Sequence, residues 1–415
     1  MKTKHTTYMS KAWLAVGLLF VVAVLNYLDR SMITTMRVSV LKAIPMSEAQ
    51  FGLLTSVFLW VYGLLSPIAG YIADRFDRKK VILLSLFIWS AVTWLTSMAQ
   101  TFDQLLLTRV LMGVSEAFYV PAALAMISEH HGKTTRSLAT GLHQAGLFAG
   151  QSLGFVGGML AESHAWTTAF DWLGVFGMCY AVVLVLLLSN PPKSPSPQGS
   201  SEPIHLGKGL AGMFRQVSFR RALTYWSLMG IVSWLVVGWL PTYYQERFAL
   251  SQTQAGLFAT AYLYPLSFAG VIAGGFIADR WSKRHARGRI LLPVVGMLIG
   301  APFVFGATVA PSVMVAAVLF SVYAFTRAFC DANMMPILCM IVDDRYRATA
   351  YGIFNLTSTV IGGLAIYAGG VLRDAKIDLS HIYQFAALTM LFCAWMLYRV
   401  RPVAKPLQEN EDYDQ

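Results

Sequence analysis

Apolar residues in this chain come in blocks of about twenty, separated by short polar turns, and about 20 apolar residues are what a helix needs to cross a ~30 Å hydrocarbon layer. Such blocks fall over 13–36, 51–73, 81–99, 103–128, 136–160 and 169–189, and again over 222–244, 253–278, 290–309, 312–341, 348–371 and 381–398. Between the two sets the pattern changes. A Pro- and Ser-rich stretch runs from Pro191 through Pro203, followed by Lys208, Arg215, Arg220 and Arg221, the composition of a flexible basic linker. The pattern predicts an all-α integral membrane protein of twelve transmembrane helices in two six-helix halves. Their bounds are 1–190 and 222–415, with a linker over 191–221 and a short tail closing the second half.

Composition agrees with the pattern. Of 415 residues 56% are hydrophobic and 13% charged, and the mean hydropathy of +0.56 exceeds what a soluble domain shows. A net charge of +11 raises nucleic acid as a partner, but its distribution has a membrane explanation. With both ends placed inside, 24 of the 32 basic residues fall in inside segments. Five fall outside (Arg37, Lys42, Arg247, Arg373, Lys376), and Arg30, Arg109 and Arg327 lie within spans. That skew predicts cytoplasmic termini, and the charge reports orientation rather than nucleic acid. The first apolar run carries Asp29 and Arg30 and lacks a small-residue cleavage site, so it reads as a retained helix. Short loops and compact tails suit a bacterial inner membrane. Cys179, Cys330, Cys339 and Cys393 all fall in expected spans without CxxC spacing, which indicates neither a disulfide framework nor a zinc site.

The two halves echo one another. Gly70-Tyr-Ile-Ala-Asp74-Arg75 at the end of the second span recurs as Gly275-Phe-Ile-Ala-Asp279-Arg280 at the end of the eighth. Arg136-x4-Gly141 matches Arg347-x4-Gly352, and Pro121 and Pro336 each follow an acid by five residues, Glu116 and Asp331. Repeats of this kind build many transporters, with the solute site between the halves near mid-membrane.

Charges inside spans are where chemistry is expected. Asn26-Tyr27-Leu28-Asp29-Arg30 sets an acid beside a base inside the first span, where each costs ~2.5–3.5 kcal/mol on insertion scales. Arg109 and Glu116, two turns apart on the fourth span, share a face about 10 Å apart along the helix axis. Arg30 and Arg109 come to similar depth, so the first and fourth helices can present two arginines and two carboxylates to one cavity. Guanidinium groups hold a carboxylate in bidentate fashion and stay charged. Carboxylates titrate, and an anion that takes an arginine raises the proton affinity of the acid it displaces. Glu116 is thus the expected coupling site, and Asp29 either a second proton site or a permanent partner of Arg30. Arg327 and Asp331, four apart on the tenth span, read as a structural pair. Glu129-His130-His131 lacks further ligands nearby, and adjacent histidines at a helix end are usually solvated.

Over its whole length the sequence resembles the major facilitator superfamily. Gly70-x3-Asp74-Arg75-x2-Arg78-Lys79 resembles that superfamily's loop 2–3 signature, with Asp77 where Gly is usual. Asn26-Tyr27-x-Asp29-Arg30 with Arg109-x3-Gly113-x2-Glu116-Ala117-x3-Pro121, and Trp239-Leu240-Pro241-Thr242-Tyr243, resemble the anion:cation symporter family of proton-coupled organic-anion carriers. The Spinster branch of lipid carriers shares the Asp-Arg and Arg/Glu pattern, and Asp77-Arg78-Lys79 is closer to it. The resemblance implies a monomeric carrier of a small organic anion such as a sugar acid, energised by protons and needing no cofactor. Tyr62, Gln144 and Asn355 become candidate partners for sugar hydroxyls, with helix-packing hydrogen bonds as the alternative for each. Of the aromatics Trp239, Tyr243, Tyr262 and Tyr264, which either line the second half's wall or sit in an interfacial belt, Tyr243 is read as substrate-facing wall. Asp74, Arg75, Arg78, Asp279 and Arg280 take conformational, gating roles. An enzyme would need a nucleophile–base set, HExxH or GxxxxGK[ST], all absent from the sequence. A channel would not need repeated halves with buried titratable groups.

Overall fold

The computed structural model describes residues 2–131, 135–190, 206–343 and 346–402. The 191–205 part of the linker and the side chain of Asp74 lie outside the described residues. Before the linker the elements are α1 (Lys2–Thr35), α2 (Arg37–Ala43), α3 (Glu48–Arg75), α4 (Arg78–Thr96), α5 (Phe102–Glu116), α6 (Tyr119–His130), α7 (Arg136–Ser152), α8 (Phe155–Ser163) and α9 (Trp166–Leu187). After it come α10 (Leu206–Arg215), α11 (Val217–Phe248), α12 (Gln252–Ala259), α13 (Leu263–Ser282), α14 (Gly288–Thr308), α15 (Val313–Ile341), α16 (Arg347–Asp374) and α17 (Leu379–Tyr398). Among the described residues all elements are helical, as a chain that must satisfy its own backbone inside lipid requires.

Among the described residues eleven helical stretches are long and apolar enough to span a membrane, against twelve expected. The one that falls short is 136–160, which folds as α7 and α8 but carries Arg136, His143, Gln144, Gln151 and several glycines in place of large apolar residues. Its glycines serve contact. A Cβ on Gly150 would stand 2.3 Å from the Val24 carbonyl oxygen, so α7 lies on the backbone of α1 at a distance only glycine permits.

Part of the linker is ordered. The expectation of a flexible segment over 191–221 overlooked the apolar spacing of Leu206, Leu210 and Met213, which forms the amphipathic α10. Met213 is buried and Phe214 packs edge-on to Phe219 at 5.5 Å. α11 then begins at Val217, five residues before the expected boundary.

Two helix starts repeat an arrangement the sequence reading missed. The Ser47 hydroxyl accepts from the Gln50 amide N–H at 3.2 Å while Gln50 Oε1 accepts from the Ser47 N–H at 2.9 Å; Ser251 and Gln254 do the same at 3.2 and 3.3 Å. Both boxes open helices that contact the other half of the chain, α3 against α16 and α12 against α8. Along α3 the Ser56 hydroxyl donates to the Gly363 carbonyl at 2.7 Å and the Trp60 indole to the Val360 carbonyl at 3.1 Å.

The ends of these contacts form a latch. The backbone N–H groups of Glu48 and Ala49, at the start of α3, both donate to Asp374 at 2.9 Å. Arg37 pairs with Glu48, and Arg373 reaches Glu246 at 2.5 Å and Glu48 at 3.4 Å. Nearby, the Gln252 side-chain amide donates to the Ser39 hydroxyl at 2.7 Å. This end is opposite the linker, because Lys79, just past the far end of α3, donates to the Val185 carbonyl close to the end of α9 at 2.8 Å.

Candidate functional site

The site is built where the fourth apolar stretch breaks. Pro121 has no N–H to give the carbonyl four residues back, and the helix stops at Glu116 and restarts at Tyr119. Glu116 therefore stands at the last turn of α5, wholly buried, with its carboxylate turned to α1. Its Oε2 accepts from the Asn26 side-chain amide at 2.8 Å and from Arg30 Nε at 2.7 Å. Among the described residues Oε1 has no hydrogen-bond partner, and neither has Arg30 Nη2, though both atoms are buried. The Arg30 guanidinium is held from its faces by Tyr27, Phe58 and Tyr62, with ring centroids at 4.7, 4.8 and 4.5 Å.

Asp29 and Arg109 lie on the other side of the same cluster. Asp29, 2% exposed, accepts from the Thr93 hydroxyl of α4 through Oδ2 and leaves Oδ1 without a partner among the described residues. Arg109, also 2% exposed, lies over Phe170 of α9 at 5.2 Å, its Nε and Nη2 likewise without a partner among the described residues, and within electrostatic reach of both carboxylates. The four charges expected together are thus contiguous, but they divide differently from the expectation. Arg30 is paired with Glu116 across helices, and Asp29 is not its partner, because neighbours along a helix point about 100° apart. Arg109 faces α9 instead of sharing open space with Arg30.

Among the other candidates, Tyr62 joins the cluster, stacked on Phe58 at 6.0 Å. Asn355 is half-buried on α16, and Gln144 is exposed on α7. Tyr243 is a correction. Its hydroxyl donates to the Ala307 carbonyl at 2.9 Å and its ring packs edge-on to Tyr383 and Phe320, so it belongs to the core of the second half. Tyr264, on α13, is buried. Tyr351, which directly precedes the repeated Gly352 on α16, is exposed.

The gating candidates are local. Arg75 donates to the Tyr71 hydroxyl at 2.8 Å, Arg78 pairs with Glu129, Asp279 pairs with Arg289 at 2.8 Å, and Arg280 is exposed. His130 and His131 are buried, against the expectation of solvation. His130 Nε2 donates to the Ser189 carbonyl at 3.0 Å. His131 Nε2 donates to the Ala12 carbonyl at 3.3 Å, leaving Nδ1 to accept from Thr135. Among the described residues no group of three His, Cys, Asp or Glu side chains is placed to hold a metal.

Comparison with known proteins identifies the class. Residues 19–366 match the family described as Major Facilitator Superfamily. The chain belongs to the Major Facilitator Superfamily. It is 26% identical over 392 residues to a probable L-galactonate transporter of Escherichia coli (strain K12), covering 90% of this chain and 85% of that protein. It is also 27% identical over 409 residues to a sphingosine-1-phosphate transporter of Xenopus tropicalis, covering 92% and 79%. A crystal structure of a bacterial homolog of the human lysosomal transporter Spinster, inward-facing and unoccupied, superposes with a TM-score of 0.74 at 22% identity over 94% of this chain and 95% of that one. The likeness to that structure fixes the superfamily fold. The chain is a multi-pass membrane transporter, not an enzyme.

Proposed function

We propose that this member of the superfamily is a proton-coupled symporter of a small organic anion, a sugar acid such as a hexonate or hexuronate. In this reading twelve spans, α7 with α8 counted as the fifth, form two six-helix bundles that rock about a central site, with both termini in the cytoplasm of a bacterial cell and the protein in its inner membrane. The observation that carries the reading is the half-used guanidinium of Arg30. Nε is engaged by Glu116, while the buried Nη2 has no partner among the described residues. A substrate carboxylate that takes Nη2 and draws the guanidinium toward itself weakens the bond to Glu116 and adds a like charge beside it. Both effects raise the proton affinity of Glu116, so anion and proton bind together. Asp29, with Arg109 close by, is the second titratable position, and Arg109 serves as its counter-charge instead of as a direct anion ligand. No cofactor enters; the proton gradient supplies the energy.

Substitution of Glu116 by Gln tests the coupling. In proteoliposomes the variant is expected to keep exchange of labelled hexonate for internal hexonate and to lose uphill uptake driven by an acidic exterior. Uphill uptake at the wild-type level would remove Glu116 from the mechanism.

A second reading rests on the relatedness to a sphingosine-1-phosphate transporter. The aromatic faces around Arg30 also suit an anionic lipid headgroup. Stabilisation of the purified protein by lysophospholipids and not by hexonates would favour it, since a ligand raises stability in proportion to ln(1 + [L]/Kd).

A further inference from the structure

Arg327 and Asp331 do not behave as a structural pair would. Arg327 is the middle residue of α15, fourteen residues from either end, hence about 21 Å from each terminus at 1.5 Å per residue. The side chains of Arg327 and Asp331 are nonetheless 25% and 30% exposed. An ion pair exposed to hydrocarbon at that depth would cost several kcal/mol, so the exposure is to an aqueous cleft. The pair is bidentate, with nitrogen–oxygen distances of 2.9 and 3.0 Å. Among the described residues Arg327 Nε is buried without a partner, and so is the hydroxyl of Tyr323, one turn earlier on the same face.

The cleft lies between the halves, as Arg30 does. α15 packs on α13, which also touches α7 of the first half, and α15 touches α16, which lies along α3, the helix whose Tyr62 ring lies against the Arg30 guanidinium. Two ion pairs, one from each half of the chain, thus stand on helices that meet at the same seam. The internal repeat places them equivalently, since Glu116 and Asp331 each precede a proline by five residues.

We propose that Arg327 and Asp331 form the second pole of the substrate site, binding hydroxyl groups at the far end of an anion whose carboxylate is held by Arg30, and so select polyhydroxylated acids over aliphatic ones. The inference rests on the organic-anion reading above. A carboxylate accepts from two vicinal hydroxyls and a guanidinium donates to their oxygens, so the pair exchanges bonds within itself for bonds to the polyol. A hydrocarbon chain offers nothing in return and leaves the pair's exposed polar atoms to be desolvated without compensation.

The test compares two acids of equal chain length, galactonate and hexanoate, by thermal shift of the purified full-length protein. Wild type is expected to bind galactonate at least tenfold more tightly. Asp331→Asn and Arg327→Gln are expected to lose most of that preference, chiefly through weaker binding of galactonate. The double variant Arg327→Asp/Asp331→Arg retains an i, i+4 ion pair. It is expected to recover the ligand-free melting temperature without recovering the preference. A wild-type preference in the single variants, or its full restoration by the swap, would overturn the proposal while leaving the organic-anion reading in place. A wild-type protein stabilised by lysophospholipid and by neither acid would overturn both.

Discussion

Arg30 is the residue on which three functions meet: ion pair with Glu116, aromatic clamp and free donor. Lysine keeps the charge but neither the planar fork nor the stacking, so Arg30→Lys is expected to cost at least tenfold in substrate affinity, about 1.4 kcal/mol, read by binding titration. Arg30→Ala is the harsher change. It strands Glu116 in a buried site, where loss of one partner costs ~3–5 kcal/mol, and melting is expected to drop accordingly. How much of this was legible in the sequence differs by residue. Intramembrane charges announce themselves, and Asp29, Arg30, Arg109 and Glu116 do cluster. Their pairing was not legible, because it depends on the directions in which consecutive side chains leave α1. Tyr243 misled because an aromatic beside a motif reads the same whether its hydroxyl meets a substrate or, as here, the Ala307 carbonyl.

At the scale of elements, the apolar blocks gave the helices and Pro121 the break that delivers Glu116. The fifth block alone fell short of spanning hydropathy, since its glycines are chosen for contact and not for lipid. The same economy governs α16 against α3. A Cβ on Gly370 would approach the Glu48 carbonyl oxygen to 2.3 Å, and backbone cannot yield as a flexible side chain can. Gly370→Ala is therefore expected to separate the helices at the latch, destabilising the protein by roughly 1–3 kcal/mol. Gly17→Ala, where a Cβ meets nothing within 4 Å, is expected to leave melting unchanged. α10 shows the limit of composition as a guide: basic residues and proline suggested flexibility, while the spacing of Leu206, Leu210 and Met213 encoded a short helix.

For the whole molecule, alternating access requires the contacts at one end to be broken in every cycle. Ser39 and Gln252 touch across the latch, so cysteines at both positions, in a background with the exposed Cys179 replaced, are expected to cross-link. The cross-linked protein should bind substrate and fail to turn over, with reduction restoring uptake. The pairs Arg30–Glu116 and Arg327–Asp331, taken with Asp29 and Arg109, have an electrical consequence. Three arginines and three carboxylates sum to zero formal charge, and in the symport proposed above a monovalent anion entering with one proton would leave the sum at zero. A membrane potential does ~2.3 kcal/mol of work per elementary charge per 100 mV, and it finds no net charge to act on in either the empty or the loaded carrier. A potassium diffusion potential imposed at equal pH is then expected to leave the initial uptake rate unchanged. Acceleration by an interior-negative potential would reveal a second proton in the cycle.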